Sequence, residues 1–376
     1  MISSPATDAH ADLTRRIQNL ELQGGGTLNL DDGIYGLGKT LRLPRRVSLC
    51  MSPHAILRAM PGFAGDAVLL KTSGEEKNTH ERSGIIRGGI IDGGRLQVTG
   101  LRIEGCARLE VTELEVLNAL HKGIHANGWY EVNIHNIRCN VDLDIRCAPG
   151  SIGLHYENAD SIANTVMIVG YETGVRSDGG SSDFSGIHVW NYDPAQGPMK
   201  TCFYCNGEGD TYVQCYADSP SETGFHVCKP FQRILACRTF YSRFQEERAG
   251  TGVYITQEGD RGSYIGNFYY AVAERTFAKA YDGHLENATI IGDVSTLGVV
   301  HGGKACRIPS QRGGLNESPP LHVTGNSMRL NPSQSPPGPD DGTIGDIVWS
   351  DEHGREAINV KTSRGWLQAL LNPPGK

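Results

Sequence analysis

From about residue 100 to residue 280 a single pattern of apolar and polar positions recurs. The segments TGLRIEG, KGIHANG, IGLHYEN, TGVRSDG, TCFYCNG, TGFHVCK, TGVYITQ and RTFAKAY align on Gly100, Gly123, Gly153, Gly174, Cys202, Gly224, Gly252 and Thr276. After each anchor, apolar or small residues alternate with variable, often polar ones. This period of two marks a strand with one buried face. A second alternating segment follows several anchors, as at 109–111, 132–134, 166–168 and 187–189. The anchors lie 21 to 30 residues apart, and short and long intervals alternate. Two or three short strands in so short a unit match one coil of a β-helix. Leucine-rich repeats would show an asparagine ladder and helical segments, and a propeller blade needs about 40 residues. The pattern predicts an all-β chain built as a right-handed, single-stranded parallel β-helix.

The ends fit that architecture. Asp8 to Leu22 reads as an amphipathic helix with Leu13, Ile17 and Leu20 on one side, stopped by Gly24-Gly25-Gly26. An open coil end exposes core and unpaired strand edges, so a capping helix is expected there. The expected organisation is a capping segment over 1–26, the β-helix over 27–308, a Pro/Gly/Ser-rich linker over 309–341 and a small β module over 342–376. The last of these carries Trp349 and Trp366.

Composition narrows the partners. The 48 glycines and 7% aromatics suit many short strands and tight turns. A net charge of −7 argues against nucleic acid, which calls for a basic face. No run of 18 apolar residues points to a membrane span, and the N-terminus lacks a secretory signal pattern. The expected location is the cytoplasm, or outside the cell as part of a phage or phage-like particle. The ten cysteines are scattered through a chain too large to need disulfide staples. Cys202 and Cys205 form a C-x-x-C, but positions three apart on a strand face opposite sides, so they read as buried or bystander thiols and not as a chelating pair.

The opening helix, the stretch GGGTLNLDDGIYGLGKTLRLPRRVSL, the IIRGGIIDGG turn, the TG coils and the C-terminal GDIVW together resemble the pectate-lyase-like superfamily. That superfamily contains polysaccharide-degrading hydrolases, lyases, epimerases and phage tailspikes. The resemblance therefore implies the fold and a carbohydrate partner, not a reaction. It also implies a possible homotrimer by analogy with tail proteins. The polygalacturonase motifs N-T-D, D-D, G-H-G and R-I-K are absent in any matching arrangement, as is the calcium-binding aspartate pattern of pectate lyases. Neither set of residues transfers, and no cofactor or metal is expected.

In-register coils stack their outward residues into columns about 4.8 Å apart. The first column reads Arg102, His125, His155, Arg176, Tyr204, His226 and Tyr254; the second reads Glu104, Asn127, Glu157, Asp178, Asn206, Cys228 and Thr256. Histidine, arginine and tyrosine offer flat faces and directional donors to a sugar. His125, His155, Arg176, Tyr204, His226 and Tyr254 are the substrate-binding candidates. Glu157 and Asp178 fall on adjacent rungs and are the catalytic candidates. Two carboxylates that close should not ionise together, so one of them is expected to titrate high. Such a split serves glycoside hydrolysis. The alternatives are a lyase or epimerase on a uronic-acid polymer, with His155, Tyr204 and Arg176 acting, and a non-catalytic glycan-binding tail or adhesin protein. Asp210 and Asp218 are substitute carboxylates, and Trp190 is either a sugar platform or a core residue.

Overall fold

The computed structural model describes residues 8–295, apart from 65–67, 74–82, 129, 192–198, 242–249, 272–278, 286 and 292, together with the strands within 347–370. The 309–341 segment and Cys306 lie outside the described residues. Parallel strands pair coil upon coil into a β-helix, preceded by one helix. One wall is a ten-stranded sheet that runs in chain order from Leu41–Pro44 to Lys279–Gly283. The remaining strands of the coils form a second, 20-stranded sheet. There most coils give two short strands meeting at a bend, as Glu110–Thr112 does with Glu115–Ala119, whereas Asn133–Asn140 and Ile162–Val169 each run through the bend as one strand. The bend residue is left-handed in successive coils: Glu113, Asn136, Thr165, Gly186, Gln214 and Ala236 all have φ between 51° and 59°.

Inward side chains stack along the axis as the outward ones do. Leu101, Ile124, Leu154, Val175, Phe203, Phe225 and Val253 form one such column, all fully buried. The Phe203 and Phe225 rings lie 4.5 Å apart and nearly parallel. Each such side chain contributes roughly 1.5–3 kcal/mol on burial, offsetting the entropy of ordering a glycine-rich chain.

The anchor glycines answer to crowding. A Cβ on Gly153 would sit 2.2 Å from Ile168 Cγ2, and one on Gly174 would sit 2.3 Å from Val189 Cγ1. The facing wall comes too close for any side chain there. Register corrects one anchor: Lys279, not a residue near Thr276, lies opposite Thr251, so Ala280 takes the place of Gly252 in the last coil. Thr276 itself lies outside the described residues. The anchor position is an inward one, which also corrects the reading of the C-x-x-C. Cys202 occupies it, so Cys202 and Cys205 both point into the core and both are fully buried. All nine described cysteines are free thiols.

The helix, His10–Leu22, buries Leu13 and Ile17 against the first coil and ends where Gly24 and Gly25 turn left-handed, at φ 88° and 125°. The strands Ile347–Glu352, Arg355–Thr362 and Gly365–Leu370 form an antiparallel meander with Trp349 opposite Ile358 and Trp366 opposite Lys361.

Candidate active site

On the ten-stranded sheet, strand pairing places Arg102, His125, His155, Arg176, Tyr204, His226 and Tyr254 side by side in that order. Register extends the column to Lys71 before Arg102 and to Asp282 after Tyr254. The second column follows one step on. The backbone N–H groups of Glu157, Asp178, Asn206 and Cys228 each donate to a carbonyl of the preceding coil, which keeps these residues in register past the strand ends.

The centre of the strip is a tight cluster. The His125 and His155 rings stack 4.5 Å apart, 4° from parallel. Lys122 Nζ lies 2.9 Å from His155 Nδ1. An ammonium can only donate, so Nδ1 accepts and the ring proton sits on Nε2. From there it is donated to Asp178 Oδ2 at 2.7 Å. Asp178 also accepts from Arg176 Nε at 2.6 Å and from Asn206 Nδ2 at 2.7 Å. Glu157 Oε1 lies 3.2 Å from His125 Nε2 and 3.4 Å from His155 Nε2. Both carboxylates therefore lie within 3.5 Å of one imidazole nitrogen.

Electrostatics divide these groups. Burial alone would raise the Asp178 carboxyl, but the donors His155, Arg176 and Asn206 outweigh it and hold Asp178 well below the usual carboxylate range. The rise expected from two neighbouring carboxylates is therefore not what happens at Asp178; its charge is compensated before Glu157 can oppose it. Burial, reinforced by the neighbouring Lys122 ammonium, pushes the His125 imidazole down to about 4, so it is neutral at ordinary pH. A hydrogen bond with Cys228, together with burial, pushes the Tyr204 phenol up to about 12.

Beyond the cluster the strip becomes aromatic. The Arg176 guanidinium lies 5.1 Å from the Tyr204 ring centre, Tyr204 is 4.9 Å from His226, and His226 meets Tyr254 edge-on at 5.1 Å. Tyr254 is 37% exposed. On the other side, Glu104 pairs with Arg102 at 2.6 Å and Lys71 at 2.5 Å.

All eight residues singled out from sequence thus lie on one continuous strip, with His125, Glu157, His155, Asp178 and Arg176 linked in a chain of contacts. Sequence reasoning missed Lys122 and gave Asn206 no role. The substitutes fall elsewhere. Asp210 is fully buried, and burial pushes it up to about 6 while Ser177 and Ser182 hydrogen-bond to it. Asp218 lies on the other sheet, 3.5 Å from His188. Trp190 is 38% exposed on that same sheet, which removes it from both the core and the strip.

Three imidazole or carboxylate atoms, from His125, His155 and Glu157, lie within 4.8 Å of one another, a spacing that a metal ion can bridge. No helix among the described residues is long and apolar enough to cross a membrane.

No protein-family model matches the chain, and no characterised protein matches it in sequence. Solved structures do match. A double mutant of the tailspike protein of E. coli bacteriophage HK620 superposes with a TM-score of 0.59 at 14% identity, over 79% of this chain and 60% of the tailspike chain. The same tailspike in complex with a pentasaccharide gives 0.58 at 15% identity, over 78% and 59%. The chain has a parallel β-helix fold like that of the tailspike. It spans about three fifths of the tailspike chains that it matches. The A-module of the Azotobacter vinelandii mannuronan C-5 epimerase AlgE4 also matches, with a TM-score of 0.46 at 14% identity over 86% of this chain and 98% of the module.

Proposed function

We propose that this pectate-lyase-like chain is a carbohydrate-active enzyme that cleaves a polysaccharide or oligosaccharide by glycoside hydrolysis on the ten-stranded sheet. The observation that carries this reading is the meeting of Glu157 and Asp178 at one imidazole nitrogen, at the centre of an open strip lined with aromatic rings. Hydrolysis needs one carboxylate that stays ionised and one that delivers a proton. Asp178, held by three donors, is the ionised partner. Glu157, a third exposed and set beside the His125 and His155 imidazoles, is the proton carrier. Adjacent rungs suit the 5–5.5 Å separation of retaining enzymes. In that scheme Asp178 bonds to the anomeric carbon while Glu157 gives its proton to the departing oxygen. A water deprotonated by Glu157 then breaks the glycosyl ester. His155 and Arg176 orient Asp178, and Tyr204, His226 and Tyr254 hold the sugar. The solved tailspike complexes with a pentasaccharide and a hexasaccharide support a glycan as the ligand of this fold.

A second reading has its own observation. Lys71, Arg102, Lys122 and Arg176 gather on one strip of a chain whose net charge is −7. Cations so placed suit a uronic-acid polymer, and a lyase or epimerase would use them to stabilise the enolate formed on proton abstraction. Its base would be His125, which is neutral and has no hydrogen-bond partner on Nε2. His155 has both nitrogens engaged, and the Tyr204 phenol is too weakly acidic.

The test is a polysaccharide panel treated with wild type, Glu157→Gln and Asp178→Asn. Hydrolysis yields new reducing ends without ultraviolet-absorbing product, and each substitution is expected to lower the rate at least 100-fold. Unsaturated product would transfer the assignment to the lyase reading. Binding with neither product would leave a glycan-binding tail or adhesin role. A homotrimer, proposed from the resemblance to tail proteins, is tested by light scattering on the full chain.

A further inference from the structure

The three donor atoms at the centre of the strip have a geometry that hydrolysis does not require. His125 is 7% exposed, and its Nε2 is buried without a hydrogen-bond partner. That atom faces Glu157 Oε1 at 3.2 Å, and His155 Nε2 faces the same oxygen at 3.4 Å. Zinc holds imidazole nitrogen and carboxylate oxygen at about 2.0–2.2 Å, so two ligands at a tetrahedral angle stand roughly 3.3–3.5 Å apart. Both observed spans are close to that edge length. An imidazole nitrogen that is buried and unpaired lacks the partner that nearly every such atom has.

We propose that a four-coordinate divalent transition metal, with zinc as its representative, binds His125 Nε2, His155 Nε2 and Glu157 and thereby silences the site. Two imidazoles and one carboxylate suit zinc rather than calcium or magnesium, which prefer all-oxygen shells. They leave a fourth position for water. Entry of the ion has a defined structural consequence. The two rings turn about Cβ–Cγ out of their parallel stack until their lone pairs converge. His155 gives up the hydrogen bond from Nε2 to Asp178, its proton moves to Nδ1, and Lys122 withdraws its ammonium from that nitrogen. Asp178 remains beside the ion, held by Arg176 and Asn206, as an outer partner of the kind that orients metal ligands. Glu157 bound to a metal no longer delivers a proton. Silencing therefore rests on the hydrolase reading, whereas binding does not.

The experiment titrates zinc chloride into the full chain by calorimetry and repeats the titration with cobalt(II), whose visible bands report four-coordination. One equivalent is expected to bind, with at least tenfold weaker affinity in His125→Gln and in Glu157→Gln. His188→Gln, which alters the histidine facing Asp218 on the other sheet, should leave it unchanged. Circular dichroism of each variant separates lost ligation from lost folding. Affinity equal in wild type and in both ligand variants, or no binding at millimolar zinc, overturns the site. Should zinc bind as described while saturated protein still produces reducing ends at full rate, the metal site stands and Glu157 loses its role as the acid.

Discussion

Two aspartates show how little residue type says about chemistry in this fold. Asp178, on the strip, is held ionised by Arg176, His155 and Asn206. Asp210 lies behind the same sheet with Ser177 and the Ser182 backbone for partners, and burial pushes it up to about 6. For a carboxyl raised above its unfolded value, the folded chain binds the extra proton between about pH 4 and pH 6. Stability is therefore greatest below that window and falls as pH rises through it. Asp210→Asn keeps a carbonyl oxygen for the Ser182 N–H, and the Ser177 hydroxyl can turn to accept from the new amide. The variant should be more stable than wild type above pH 6 by roughly 1–2 kcal/mol and should lack the acid-side slope. Urea melts at pH 4.5 and pH 7.5 measure both quantities. A variant less stable at both values would show that Asp210 is ionised and needed as such. Arg176, two positions from Asp178, was in view in the sequence; the other partners were not, because His155, Asn206, Ser177 and Ser182 lie 23 to 33 positions from the carboxyls they meet and only coiling brings them near.

At the scale of the strand, what could be read and what could not both trace to the anchor glycine. The columns were legible because side chains alternate strictly from the residue after the anchor outward. Lys122 was not. Counting back from His125 by twos puts Gly123 outside and Lys122 inside. Instead Gly123 takes an inward place, where a Cβ would sit 2.5 Å from Gly153 O and 3.0 Å from Cys139 Sγ. The period slips by one residue, and Lys122 emerges on the outer face beside His155. The slip depends on an absent side chain, so it should not survive adding one. In Gly153→Ala the new methyl would meet Ile168 Cγ2 at 2.2 Å and the Gly174 carbonyl at 2.9 Å. Ile168 is itself fully buried, with nowhere to move. A loss of roughly 2–3 kcal/mol is expected. Ile168→Ala should cost less in the Gly153→Ala background than in wild type, since it removes the clash. Additive losses in that double-mutant cycle would locate the strain elsewhere.

Along the whole molecule the coils act as a ruler. From Arg102 to Tyr254 the strip crosses seven rungs, roughly 29 Å at about 4.8 Å per rung. Its ends differ. Charged groups gather around Arg102 and Glu104, whereas Tyr204, His226 and Tyr254 make an aromatic run ending in a ring that is 37% exposed. The carboxylate pair lies between them. A long glycan can reach both ends at once, whereas a short one occupied by the chemistry cannot. On the hydrolase reading, contacts at Tyr254 are remote from the bond that breaks, so they contribute to binding that is equal in ground and transition states. Tyr254→Ala is therefore expected to raise KM several-fold for long substrates with kcat unchanged, and to leave both constants unaltered for the shortest substrate still cleaved. Steady-state kinetics on a ladder of chain lengths reads this directly. A change confined to kcat, or a KM effect equal at every length, would mean that the aromatic end does not hold the polymer and that the glycan crosses the rungs instead of following them.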